Sequence, residues 1–322
     1  MKIRNAMVLA ILGMSAIALQ AQTWPEKPIK LLAPSSAGGP PDIYARALAD
    51  HLSKNLGQAV VVENIPAAGG MIAAQTAMRA PADGYTLLVN TAGMMTITPN
   101  ANSRAQYKGA DFTQICQGVD AALVLATHAP LGPKDYKQLA DWLKAQKVPP
   151  TYSSYSPGSP AHFLGFQLAE ALNVNMTHVP YKSSPPQITD MIGGVAPLGF
   201  AQVASATPHI KSGKLIAHAT SGEKRSAALA DVPTVGELGL AQLTTSVWFG
   251  LSAPKGLPVA IAQRLTSAHQ QMQASAEFRT RMTTAGLNPT PDVCGNVFLD
   301  KINRETERWA RVVKATGFSA TE

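Results

Sequence analysis

Two short stretches of the chain combine Gly, Ser and Pro where an apolar run meets a helical pattern. The first is Ala33-Pro34-Ser35-Ser36-Ala37-Gly38-Gly39-Pro40-Pro41-Asp42. Glycine lets a backbone approach a ligand closely. Proline suits a first helical turn, where its missing N–H would have had no partner. Free N–H groups and the positive helix end then make a seat for an anion. Ser35, Ser36, Ala37, Gly38, Gly39 and Asp42 are the candidate contacts there. The second stretch, Tyr155-Ser156-Pro157-Gly158-Ser159-Pro160-Ala161-His162, has the same form. It adds the hydroxyls of Ser156 and Ser159 and the backbone at Tyr155 and Gly158. His162 falls inside the helix start, where packing and ligand contact are both open. Thr91 and Ala92 follow a third apolar run, Tyr181 and Lys182 a fourth, and Ala201 and Gln202 end a fifth. An ordinary strand-to-helix turn is the plain alternative for each, and a solvated lysine for Lys182.

Other chemistries lack their residues. A hydrolase needs a nucleophile, a base and an orienting group. Neither G-x-S-x-G nor H-E-x-x-H occurs, and Ser159 near His162 is only local spacing. No CxxC pair or His/Cys cluster exists, so no structural metal is expected. The formal charge is +7, with the positive residues scattered rather than striped. This argues against nucleic acid and is compatible with a small anionic ligand.

The elements that must carry these loops alternate. Ile29 to Ala33, Ala59 to Glu63 and Tyr85 to Asn90 read as buried strands. Helices are predicted from Asp42 to Leu56 and from Met71 to Ala80. This order argues for a parallel sheet covered by helices on both faces. A second unit follows Pro130, with strands at Thr151–Tyr155, Met176–Val179, Pro197–Ala201 and Leu215–Thr220. A strand near Trp248 to Leu251 leads into helices at 259–274, 277–285 and 296–316. The expected fold is α/β and two-lobed, each lobe a sheet flanked by helices, with hinge crossings near Leu123 and Trp248. Lobe 1 comprises 22–123 plus 251–322 and lobe 2 comprises 124–250. In such sheets ligands lie beyond the carboxyl ends of the strands, where the Gly/Ser/Pro loops sit.

The chain has 322 residues, 46% apolar and 15% charged, which suits a globular protein of two domains. Lys2 and Arg4 precede an uncharged run from Ala6 to Leu19. That run is too short for a bilayer core of ~30 Å and reads as a secretory leader ending near residue 21. The expected location is the periplasm. Cys116 and Cys294 are free to pair there, or to stay buried as thiols; the sequence leaves both open. A monomer is expected, since a symmetric interface would have to leave the cleft free to move.

Several segments together resemble the Bug family, the solute receptors of tripartite tricarboxylate transporters. They include Trp24-Pro25-Glu26-Lys27-Pro28-Ile29, Val60-Val61-Val62-Glu63-Asn64 with Gly69-Gly70, and Ala80-Pro81-Ala82-Asp83-Gly84-Tyr85. His178-Val179-Pro180-Tyr181-Lys182, Pro208-His209-Ile210-Lys211-Ser212-Gly213 and Asp231-Val232-Pro233-Thr234 continue the series. The resemblance implies a hinged periplasmic binding protein fold of the Venus flytrap type, without a metal or organic cofactor. It also implies capture of a small organic carboxylate by main-chain N–H groups and delivery to the membrane subunits of a transporter. Two departures stand out: the family's first loop usually has Phe where this chain has Ser35, and its usual Asp is here Ala201. Both changes are expected to enlarge the pocket and make it less acidic. An aromatic mono- or dicarboxylate such as terephthalate is the expected ligand; aliphatic di- and tricarboxylates, or a sensory role, are the alternatives.

Overall fold

The computed structural model describes residues 24–290 and 293–320; the expected leader, 1–21, lies outside them. The chain begins with β1 (Ile29–Ala33), α1 (Pro40–Leu56), β2 (Val60–Asn64), α2 (Met71–Arg79) and β3 (Thr86–Thr91). Two short helices, α3 (Ala92–Thr96) and α4 (Thr98–Ala101), lead to β4 (Phe112–Ala121). The second unit runs β5 (Leu123–His128), α5 (Tyr136–Ala145), β6 (Thr151–Ser154), α6 (Pro160–Leu172) and β7 (Thr177–Pro180). It continues through α7 (Ser184–Ile192), β8 (Leu198–Gln202), α8 (Val203–Lys211) and β9 (Leu215–Thr220). The chain returns by β10 (Val247–Pro254), α9 (Val259–Ala274), α10 (Ala276–Thr284), β11 (Asn288–Pro289) and α11 (Gly295–Thr316).

Two sheets result. One has the order β11-β4-β10-β3-β1-β2 and the other β7-β6-β8-β5-β9. β1 is parallel to β2 and β3, as alternating strands and helices require. The sheets are mixed, however, because β10 runs antiparallel to β3 and β4, and β5 antiparallel to β8 and β9. β4 and β5 have no counterpart in the sequence reading. In β4 the alternation is blurred by Gln114, Gln117 and Asp120, and two register shifts against β10 break the two-residue period further. The buried Gln114 is held by Asn90 and Ser252 instead of apolar neighbours.

The lobes join where β4 runs into β5 and where the chain returns to β10. β5 starts at Leu123 and pairs within the second sheet. β10 pairs with the first sheet from Val247 onward. Ser221 ties the crossings together. Its Oγ accepts the Leu123 N–H (2.9 Å) and donates to the Thr245 carbonyl (2.7 Å). Its own carbonyl accepts the Thr245 N–H (2.8 Å).

The long helices at either end of the chain each bury one face. α1 buries Tyr44, Leu48, Leu52 and Leu56, admits Pro40 and Pro41 into its first turn, and ends at Gly57 with φ +72°. α11 buries Phe298, Ile302, Trp309 and Val313. Its far end packs Trp309 and Val313 with Ile97 and Ala101 of the first lobe and Phe163 of the second. A disulfide between Cys116 in β4 and Cys294, the residue capping α11, fixes this helix to the first sheet. The bond spans 178 residues, so it removes much chain entropy from the unfolded state. The double variant Cys116→Ala/Cys294→Ala should lose about 4 kcal/mol of stability. Its thermal midpoint should fall by roughly 10 °C in a calorimetric scan; an unchanged midpoint would contradict this role.

Candidate functional site

The carboxyl ends of β1, β3, β6, β7 and β8 face one another across the cleft and enclose a cavity of about 60 Å³. Four helices of nine to seventeen residues start on this space: α1, α6, α7 and α8. Their positive ends favour an anion. No carboxylate lines the cavity among the described residues, and Lys182 is its one charged side chain.

The donors differ from those the sequence suggests. Pro40 and Pro41 leave the first turn of α1 without two N–H groups. The Gly38 N–H is already used by Asp42 (2.8 Å), and the Gly158 N–H by His162 Nδ1 (3.2 Å). The main-chain N–H groups of Ala92 and Gly93 in the first lobe have no partner among the described residues. The same holds for Ser183 and Ser184 in the second lobe, and all four residues line the cavity. Neither Gly39 nor Ser183 receives a side-chain cap, so the ends of α1 and α7 remain open. One hydrogen bond, from Ser183 Oγ to Ser36 Oγ (3.0 Å), already links the lobes across the cleft.

Of the expected contacts, Ser35, Gly39, Thr91, Ala92, Tyr155, Ser156, Gly158, Ser159 and Gln202 line the cavity. Burial pushes the Tyr155 hydroxyl above its usual range, so it is a neutral donor. Gln202 accepts a hydrogen bond from the Ser184 hydroxyl, which orients its amide. Ser36, Ala37 and Gly38 do not line it; Ala37 and Gly38 face solvent at the rim.

Asp42 turns away and supports the loop. Its buried carboxylate accepts from the Gly38 N–H, Arg46 Nε (2.9 Å) and Asn64 Nδ2 (2.9 Å). Burial alone would raise its pKa, but these donors outweigh burial and hold it below the usual carboxylate range. Tyr181 donates its hydroxyl to Asp190 (2.7 Å) and lines a neighbouring cavity instead. Ala201 overturns the expectation that its small size widens the pocket. Successive side chains of a strand point to opposite faces, so Ala201 packs with Val124, Ile188 and Ala206 in the second lobe's core, away from the cleft.

His162 is also behind the loop rather than in it. Its ring stacks on His178 at 3.8 Å and meets Phe318 edge-on. Burial lowers its pKa to about 4, and burial with the neighbouring His162 lowers His178 to about 3.

Sequence reading missed part of the lining. Val247 and Phe249 come from β10, far along the chain, and nothing local marks them. Gly69 and Gly70 were visible as a pair before a helix; both have positive φ (+62° and +90°), which glycine alone adopts freely.

The profile of the tripartite tricarboxylate transporter family receptor matches residues 44–318. The chain belongs to this family. The receptor is 33% identical over 319 residues to a protein encoded in the TAR-I ttuE-ttuC' intergenic region of Agrobacterium vitis, covering 97% of this chain and 92% of the relative. It is 32% identical to the BugT protein of Bordetella pertussis, covering 96% and 97%. Among solved structures it superposes on the periplasmic binding protein BugD with a TM-score of 0.87, at 32% identity and covering 92% and 99% of the two chains. A Rhodopseudomonas palustris protein solved with adipate gives a TM-score of 0.88 at 26% identity and covers the same shares. MatC from Rhodopseudomonas palustris, solved with bound malate, gives 0.84 at 28% identity, covering 90% and 100%. The receptor therefore has the two-lobed periplasmic binding protein fold.

The stacked histidines set a pH dependence. Both are neutral in the fold and titrate below the unfolded value near 6.5. Their stabilising contribution is complete above pH 6.5 and is lost as pH falls toward 4. Each should lower stability by up to about 1.4 kcal/mol per pH unit across that window. Urea unfolding at pH 7 and pH 5 should show the loss, and His178→Gln should reduce it, leaving the share of the buried His218 and His269; an equal loss in the variant would contradict the assignment.

Proposed function

We propose that the receptor is a periplasmic solute-binding protein that captures a small organic carboxylate with an apolar body. It acts as a monomer, reaches the periplasm by its N-terminal leader, and hands the ligand to the membrane subunits of a tripartite tricarboxylate transporter. An aromatic mono- or dicarboxylate such as terephthalate is the preferred ligand.

The observation that carries this reading is the cavity's lining. It offers unpartnered N–H groups from both lobes, four helix starts and one lysine, with no acid among the described residues. Such a lining selects against an ammonium group and for a carboxylate. Val247, Phe249 and Met94 supply an apolar wall for the body of the ligand. Ser35 lines the cavity where the family's bulky Phe is usual, which leaves room for a ring. The relatives solved with adipate and malate support a carboxylate.

Binding rather than turnover is supported by the placing of His162. Its Nδ1 is used by Gly158, and the Ser159 hydroxyl oxygen accepts the His162 main-chain N–H (3.3 Å). The imidazole is thus committed to the loop's backbone.

A thermal-shift series tests the proposal. A ligand at a hundred times its dissociation constant adds about 2.7 kcal/mol, which raises the midpoint by several degrees. Benzoate and terephthalate are expected to give that rise, and Ser35→Phe to abolish it while sparing succinate. A rise with succinate and citrate alone would discard the ring and keep the receptor. No response to any acid would overturn the carboxylate reading.

A further inference from the structure

α11 belongs to the first lobe. Cys294 at its start is bonded to Cys116 in β4, and Phe298 and Ile302 pack with Leu32, Leu88 and Trp248. Further along, the Thr306 carbonyl accepts from Asn100 Nδ2 (3.3 Å). Gly317 ends the helix in a left-handed conformation (φ +63°). The Ala320 N–H then donates to the Ala101 carbonyl (2.6 Å). The first lobe therefore holds this segment on both sides of Phe318.

Two of its aromatic side chains nevertheless reach the second lobe. Trp309 lies 5.8 Å from the Phe163 ring, and Phe318 meets Phe163 edge-on at 5.7 Å. Phe318 also meets His162 edge-on at 4.6 Å. Phe163 and His162 are both in α6, behind the loop that lines the cleft cavity. A methyl group on Gly158 in that loop would stand 3.4 Å from the Phe318 ring. Trp309 is buried, whereas Phe318 is half-buried at the edge of the cluster.

Swinging the second lobe about the two crossings would draw Phe163 and His162 off these rings. The apolar faces so exposed would be wetted, at a cost that grows with their area. The Ser183–Ser36 bond offers less resistance, because water can satisfy both hydroxyls once they part. The aromatic contacts have no such substitute.

We propose that Trp309 and Phe318 form an aromatic latch that holds the two lobes together before a ligand arrives, with Phe318 as its outer, releasable half. The latch raises the share of receptor already closed, and so the apparent affinity for whatever the cleft takes. It does not depend on which ligand that is.

A trapping experiment without ligand tests the latch. Ser36 Oγ and Ser183 Oγ are 3.0 Å apart across the cleft, so cysteines at these positions can join only while the lobes are closed. Ser36→Cys/Ser183→Cys, with the native Cys116–Cys294 bond kept, should form the second disulfide under mild oxidation, followed by mass spectrometry. Adding Phe318→Ala should slow its formation about fivefold, the scale of a lost aromatic pair. Phe318→Leu, which keeps part of the apolar contact, should slow it less. Small-angle X-ray scattering of Phe318→Ala with both serines native should give a larger radius of gyration than the native protein. An unchanged trapping rate would overturn the latch, as would failure of the pair to join in the native background. A slowed rate with an unchanged radius would place the effect on the loop behind Gly158 alone and would overturn it too.

Discussion

Closing the cleft brings together main-chain donors that the protein itself does not satisfy. Ala92 and Gly93 come from one lobe, Ser183 and Ser184 from the other. A buried donor without an acceptor costs about 1–3 kcal/mol. An anion that touches both lobes would remove that cost only in the closed arrangement, so it would favour closure by the difference in its affinity for the two arrangements. The direct bond between Ser183 and Ser36 is a weak substitute, since it joins two hydroxyls at the rim.

Shaping the loops around these donors takes more residues than the site itself. Asp42 spends its carboxylate on the Gly38 N–H and ties the loop to Arg46 and Asn64. His162 does the same for Gly158 in the second lobe, from within an aromatic stack reaching Phe318. Both residues lie in the motifs that suggest ligand contact, and both face backward. A rigid loop is what lets a few neutral N–H groups hold a charge, because little reorganisation is left to do on binding. Ser221 gives the hinge a comparable definition by tying two crossing strands into one unit.

Much of the fold was legible because its strongest signals are local. β9 and α9 keep the bounds expected of them, and α1 gains only its two leading prolines, since their apolar periods run uninterrupted between turn residues. β4 was hidden because the buried Gln114 and Gln117, satisfied by distant partners, look like surface in a sequence; β5 is an apolar run that went unread as a strand. The cleft loops were found from Gly, Ser and Pro, yet their side-chain roles were not. Loop composition shows that a backbone can approach a ligand; it does not show which way Asp42, His162 or Ala201 will point. Val247 and Phe249 were out of reach, since only the antiparallel return of β10 beside β3 brings them to the cleft.

A crystal structure of the mature receptor with a bound carboxylate tests the central claim most directly. One carboxylate should lie within about 3 Å of main-chain N–H groups from both lobes, at Ala92 or Gly93 on one side and Ser183 or Ser184 on the other. A carboxylate held by side chains of one lobe alone, with those N–H groups facing water, would contradict it.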